Sequence, residues 1–166
     1  MGSELIYKRQ LVSIGVPVLT FRDQGAPSFY SLQDKARFFR PQFKERKGHV
    51  NQIILHHDGT RDSRGCFQVL AQRNLSTHLM IDRDGTVFQP LDLSDMAYHA
   101  GDYNKDSIGI DLNNPVIPNR VKDPTKRGVF TGRINGGRKT SLGYTDAQYD
   151  SLIAVVAGLR RIFPKI

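Results

Sequence analysis

The chain has 166 residues, 39% hydrophobic and 24% charged, which favours one globular domain. No apolar run reaches the length of a membrane span, and the single cysteine, Cys66, excludes an internal disulfide framework and a multi-cysteine metal site. A net charge of +8 favours anionic partners, whether cell wall, membrane surface or nucleic acid. The basic stretches Arg37 to Lys47 and Arg120 to Lys139 lack interleaved aromatics of a ribonucleoprotein kind, so nucleic acid is the weakest of these partners. The opening Met1-Gly2-Ser3-Glu4 carries no basic-then-apolar leader pattern.

In chain order, residues 1–48 read as a lead-in packed on a domain spanning 49–166. Leu11, Val12, Ile14, Val16 and Val18 suggest an extended segment, and Leu32, Ala36 and Phe39 fall near helical spacing within Ser31 to Arg40. Val50 to Leu55 is an apolar run ending at His56-His57-Asp58-Gly59, a buried strand followed by a polar turn. Ser63 is suited to cap a helix running to about Arg73, with Cys66, Val69 and Leu70 on its buried face. His78 to Asp82 and Thr86 to Gln89 read as strands of a hairpin that turns at Asp82-Arg83-Asp84-Gly85. Ser107 to Leu112 is a further strand, with Ile108, Ile110 and Leu112 on one face and Ser107, Gly109 and Asp111 on the other. Prolines, glycines and basic residues make 113–143 a long loop. Thr145 and Gln148 form a capping box, and Tyr149, Leu152, Ile153, Val156, Leu159 and Phe163 recur at helical spacing up to Pro164. The expected fold class is α/β, a central mixed β-sheet flanked by helices.

Two positions carry candidate chemistry. His56 ends a buried strand, where the sheet fixes its direction and the adjoining loop leaves access; it is a metal ligand or a hydrogen-bonded histidine. Asp111 lies mid-strand, where a carboxylate is disfavoured, and is either a general base or a structural aspartate. His57 should point to the face opposite His56. His99 lies in a loop beside Gly101, a setting that often shapes binding sites. His78 reads as a core or supporting residue, and His49 as linker.

Five segments, in order, resemble the type 2 N-acetylmuramoyl-L-alanine amidases, which include phage amidase lysozymes, anhydromuropeptide amidases and animal peptidoglycan recognition proteins. They are Val50 to Thr60, Ser76 to Gln89, Ala97-Tyr98-His99-Ala100-Gly101, Asn104 with Ser107 to Leu112, and Tyr144 to Phe163. The resemblance implies zinc-dependent hydrolysis of the N-acetylmuramoyl–L-alanine bond of peptidoglycan, at the bacterial cell wall or periplasm, by an endolysin, a virion-associated enzyme or a secreted effector. It implies that His56 is a zinc ligand, that Asp111 takes the place of a catalytic Glu, and that His99, Thr77 and His57 are substrate contacts. Thr77 stands where many members carry a catalytic Tyr, so a phenol-assisted mechanism is not expected. The family's other zinc ligands and an oxyanion-binding lysine follow its last helix. The resemblance therefore places them beyond Ile166 or on another chain. The alternatives are a non-catalytic peptidoglycan-binding module of the same fold and, behind it, a basic nucleic-acid-binding or assembly domain.

Overall fold

The computed structural model describes residues 2–42, 46–115, 128–134 and 136–166. Its main sheet has six strands: β1 (Gly2–Tyr7), β2 (Gln10–Thr20), β4 (Gln52–Gly59), β5 (Leu79–Ile81), β6 (Val87–Gln89) and β8 (Ser107–Pro115). They lie in the order β1-β2-β6-β5-β8-β4. β1 with β2 and β5 with β6 are antiparallel, whereas β2 with β6, β5 with β8 and β8 with β4 are parallel. The sheet is therefore mixed, as expected, with helices against it.

Alternation along β8 sorts the two faces. Ile108, Ile110 and Leu112 join Leu79, Ile81 and Val18 beneath Val155, Leu159 and Ile162 of α3 (Asp146–Ile162). On the other side Met80 and Phe88 pack on Cys66 of α2 (Ser63–Gln72), with Phe67 and Leu70 beside them. The capping box of α3 forms as read: Thr145 Oγ1 accepts from Gln148 N, and the Gln148 side chain accepts from Thr145 N. The turn at Gly85 likewise forms, with φ +85 at the glycine.

Several expectations are corrected. β4 is not a buried strand: it lies at the sheet edge with Leu55 50% exposed, and it runs on through His56-His57-Asp58 to Gly59, where a polar turn was expected. The cap of α2 is Asp62, whose carboxylate accepts from Gly65 N at 2.8 Å; Ser63 is the first helical residue. Val69 is 40% exposed and does not share the buried face with Cys66. Ser31 to Arg40 is not an α-helix. It holds the end of one short 3-10 turn, a second at Lys35–Arg37, and β3 (Phe39–Arg40), which pairs with β7 (Met96–Ala97). Asp34 sits at φ +51, in the left-handed region that a helix interior does not use. The near-helical spacing there reflects packing: Phe29, Phe38 and Phe39 gather on Leu91 and Ala97. Nor is 113–143 one loop. Asn113 to Pro115 extend β8, and β9 (Val129–Ile134) pairs with β10 (Gly137–Leu142) as a hairpin. The remainder of that expected loop, 116–127 and 135, lies outside the described residues.

The lead-in contributes β1 and β2 to the main sheet, joined at Lys8-Arg9. Both turn residues take positive φ, 50 and 63, which normally favours glycine or asparagine. Asp92 compensates, its two oxygens accepting from Lys8 N and Arg9 N at 3.0 Å each.

Candidate active site

β4 and β8 run parallel with His56 opposite Asp111, and Met80 of β5 flanks Asp111 on its other side. The pairing sets His56 and Asp111 on one face of the sheet. His57, one residue on, faces the other way beside Leu112, and its Nε2 is buried with no hydrogen-bond partner among the described residues. The sheet thus separates His57 from the other candidate residues. Thr77 is fully buried next to Asp111 and hydrogen-bonds it.

His99 is brought to His56 from the loop after β7. Its backbone N–H and that of Ala100 both donate to Asn104 Oδ1, at 2.9 and 2.7 Å. Its Nδ1 lies 2.9 Å from His56 Nε2, and its Nε2 lies 3.2 Å from Ser107 Oγ. Proton positions follow from the partners. Ser107 Oγ donates to the Tyr103 carbonyl at 2.6 Å, so towards His99 it can only accept. His99 therefore carries its proton on Nε2, and His56 Nε2–H donates to His99 Nδ1. The bonds run in one direction, from His56 through His99 and Ser107 to a backbone carbonyl.

His78 is used up differently. Gly109 N–H donates to its Nδ1 at 3.1 Å, which leaves Nε2–H to donate to the Asp95 carbonyl at 3.0 Å. Both nitrogens being engaged, His78 is a supporting residue beneath His99, with ring centroids 5.8 Å apart. His49 is exposed on the short α1 (Arg46–His49).

Burial dominates the electrostatics. It lowers the pKa of His56, and lowers that of His99 to about 3 with help from His56 and Arg46, so this pair is neutral at pH 7. It raises Asp111 to about 7, against a Thr77 hydrogen bond that favours ionisation and with a smaller push from Asp58. Asp58 is also raised by burial, but bonds from Thr60, Asn114 and Asn113 oppose the shift. The Cys66 thiol is pushed up by burial and is no thiolate donor.

Among the described residues no three His, Cys, Asp or Glu side chains stand together where they could hold one metal ion. All five histidines and Cys66 are among those residues. A catalytic zinc needs about three protein ligands, so these side chains do not fit a self-contained zinc site.

Sequence reasoning placed Ser107 and Gly109 on the Asp111 face but gave them no role. The structure supplies one for each. A Cβ on Gly109 would lie 2.7 Å from His99 Nδ1 and 2.8 Å from its Cγ. The ring cannot yield easily, because Ser107 and His56 hold it and Asn104 holds its backbone. Gly109→Ala is expected to cost about 1–3 kcal/mol through overpacking and to break the His56–His99 bond. Thermal melting and the imidazole ¹⁵N shifts of the two histidines check both effects. Ser107→Ala should cost about 1 kcal/mol. It should also release the His99 tautomer, seen as a move of its ring nitrogens away from the Nε2–H pattern. An unchanged ¹⁵N pattern would show that Ser107 does not set that tautomer.

A sequence profile described as N-acetylmuramoyl-L-alanine amidase matches residues 46–166. No curated protein sequence matches the chain. Among solved structures, the endolysin N-acetylmuramoyl-L-alanine amidase LysCS from Clostridium intestinale URNW superposes with a TM-score of 0.53 at 17% identity, over 89% of this chain and 75% of its own. AmpD gives 0.50 at 22% identity, over 91% and 82%. A Drosophila PGRP-LB variant in complex with tracheal cytotoxin gives 0.51 at 16% identity, over 88% and 76%. At these identities the superpositions speak for the fold. The profile covers well over half of the 166 residues, from α1 through the His56, His99 and Asp111 segments to the last helix, and on that ground the chain belongs to the N-acetylmuramoyl-L-alanine amidase family.

Proposed function

We propose that the protein hydrolyses the amide between N-acetylmuramic acid and L-alanine in peptidoglycan, at the bacterial cell wall. The observation that carries this reading is Asp111: a buried carboxylate, raised to about 7, level with His56 on the neighbouring strand. A group with that pKa exchanges protons readily at neutral pH, which suits a residue that must take a proton from water and return it to a leaving amine. His99, held in one tautomer, fixes the position of the His56 ring and walls the same face. Thr77 keeps the Asp111 carboxyl oriented. Family membership and the peptidoglycan fragment tracheal cytotoxin in the PGRP-LB complex support the same substrate.

Zinc dependence belongs to this proposal, with His56 as the one donor assigned to it. The described side chains do not complete such a site, so no step here is routed through the metal. The test incubates the protein, with and without added zinc, with purified peptidoglycan and counts new L-alanine amino termini. Release is expected; release independent of zinc would remove the metal from the proposal, and no release under either condition would overturn the hydrolytic reading.

A second reading is favoured by the lack of a three-donor set among the described residues: a peptidoglycan-binding module that does not cut. It predicts retention on purified walls, no new amino termini and no stoichiometric zinc by elemental analysis. Stoichiometric zinc would sink it.

A further inference from the structure

We infer that a cavity beneath the lead-in, separated from the candidate active site by His78, binds a multiply charged oxyanion carried on an apolar or planar body. The cavity has a volume of about 850 Å³, within the range of small-molecule sites. It forms where the lead-in folds over the segment from Leu91 to Asp95. One wall is aromatic: Tyr30 stands 4.6 Å from Phe21 and 5.0 Å from Phe39, centroid to centroid. Arg9, Arg22 and Lys35 line the opening, and Arg46, 1% exposed, lies at its base.

Among the described residues, Asp92 and Asp95 are the lining carboxylates; they offset only part of this positive charge, Asp95 acting on Arg46. Asp92 spends its oxygens on Lys8 N, Arg9 N and the Ser94 N–H and hydroxyl. Asp95 accepts from the Tyr30 hydroxyl at 2.5 Å and from Gln42 N at 2.9 Å. Both acids therefore hold the walls together. Arg22 gives one N–H to the Arg9 carbonyl, and among the described residues Arg9 and Lys35 have no carboxylate partner. Arg46 is bonded to backbone carbonyls. Like charges gathered around one concave, partly apolar surface repel each other and focus a positive potential into it. An oxyanion relieves that repulsion, and guanidinium groups suit the paired oxygens of either a carboxylate or a phosphate. The aromatic wall accommodates whatever carries the charge.

The cavity is linked to the catalytic candidates through the buried ring of His78. His78 bonds the Asp95 carbonyl on one side, and its ring meets His99 on the other. The inference needs no peptidoglycan chemistry, so it stands or falls separately from the proposed function.

The test uses the full chain, ¹⁵N-labelled, titrated separately with glutarate and with inorganic pyrophosphate at low salt. Saturable shifts at Tyr30, Ser94 and Gln42 are expected with at least one of them. Glutarate binding assigns the site to carboxylates such as those of an acidic peptide, and binding of pyrophosphate alone assigns it to phosphate-bearing polymers. The double variant Arg9→Gln/Lys35→Gln changes two exposed side chains and should bind about ten-fold more weakly, with an unchanged melting temperature. Absence of saturable binding by either probe, or equal affinity in the folded double variant, would overturn the proposal.

Discussion

Asp111→Asn is expected to cut the release of L-alanine amino termini by about 10²–10⁴-fold, the usual contribution of a general acid–base, while making the protein more stable at alkaline pH. The two effects have one cause. Asp111 is 6% exposed, and burial raises its pKa from 3.8 to about 7. Its folded-state pKa lies above its unfolded one. Its favourable contribution is therefore complete below about pH 4 and is lost as pH rises to about 7. Above that, the folded protein bears the cost of a buried charge, at most about 4 kcal/mol. Asparagine keeps the size and hydrogen-bonding capacity without the charge. Below about pH 4 the variant should melt close to the wild type; at pH 8 it should melt higher. The wild-type activity should rise with pH through about 7, as the carboxylate form is populated. A melting difference independent of pH would contradict the electrostatic argument, and an active variant would remove Asp111 from the chemistry.

What made this site legible in the sequence was the ending of two apolar runs. Val50 to Leu55 stops at His56, and the alternation of Ile108, Ile110 and Leu112 leaves Asp111 on the other face, so both residues could be assigned to strand positions before their pairing was known. The last helix was equally plain from its cap, but its expected stripe was only partly right: Tyr149 and Ile153 are exposed, and Ser151, Val155 and Ile162 are buried with Leu159 instead. Legibility failed where tertiary contacts outweighed local pattern. Phe38 and Phe39 look helical by spacing, but they answer to Leu91 and Ala97, far along the chain. In β9 and β10 the glycines and basic residues concealed a hairpin that the dipeptide Asn135-Gly136 signals. The role of Ser107 depends on a carbonyl and an imidazole that no spacing rule connects to it. Arg46 is the extreme case: read as part of a basic stretch, it is instead almost fully buried.

Arg46 carries the largest expected effect on stability. Its guanidinium donates to the carbonyls of Leu93 at 3.1 Å and Ser107 at 2.6 Å, and more weakly to those of Asn104 and Lys105, both at 3.4 Å. It ties α1, the loop before β7 and the start of β8 into one unit beneath His78. Two effects oppose each other. Burial disfavours the cation, lowering its pKa to about 10, yet that still leaves it charged at neutral pH. Against this, removing the side chain strands buried carbonyls, at about 1–3 kcal/mol each, and opens a void. The stranded carbonyls should win, because the bond to Ser107 is short, that to Leu93 is of ordinary length, and a void cannot replace them. Arg46→Ala is expected to cost about 3–5 kcal/mol, lowering the melting temperature by roughly 10 °C for a chain of this size. Arg46→Met fills much of the volume without any donor and should fall between alanine and wild type. Arg46→Lys keeps the charge but loses the planar fork, so it should restore only part of the difference. A methionine variant as stable as wild type would mean that desolvation of the cation outweighs the carbonyl clamp, reversing the balance argued for this residue.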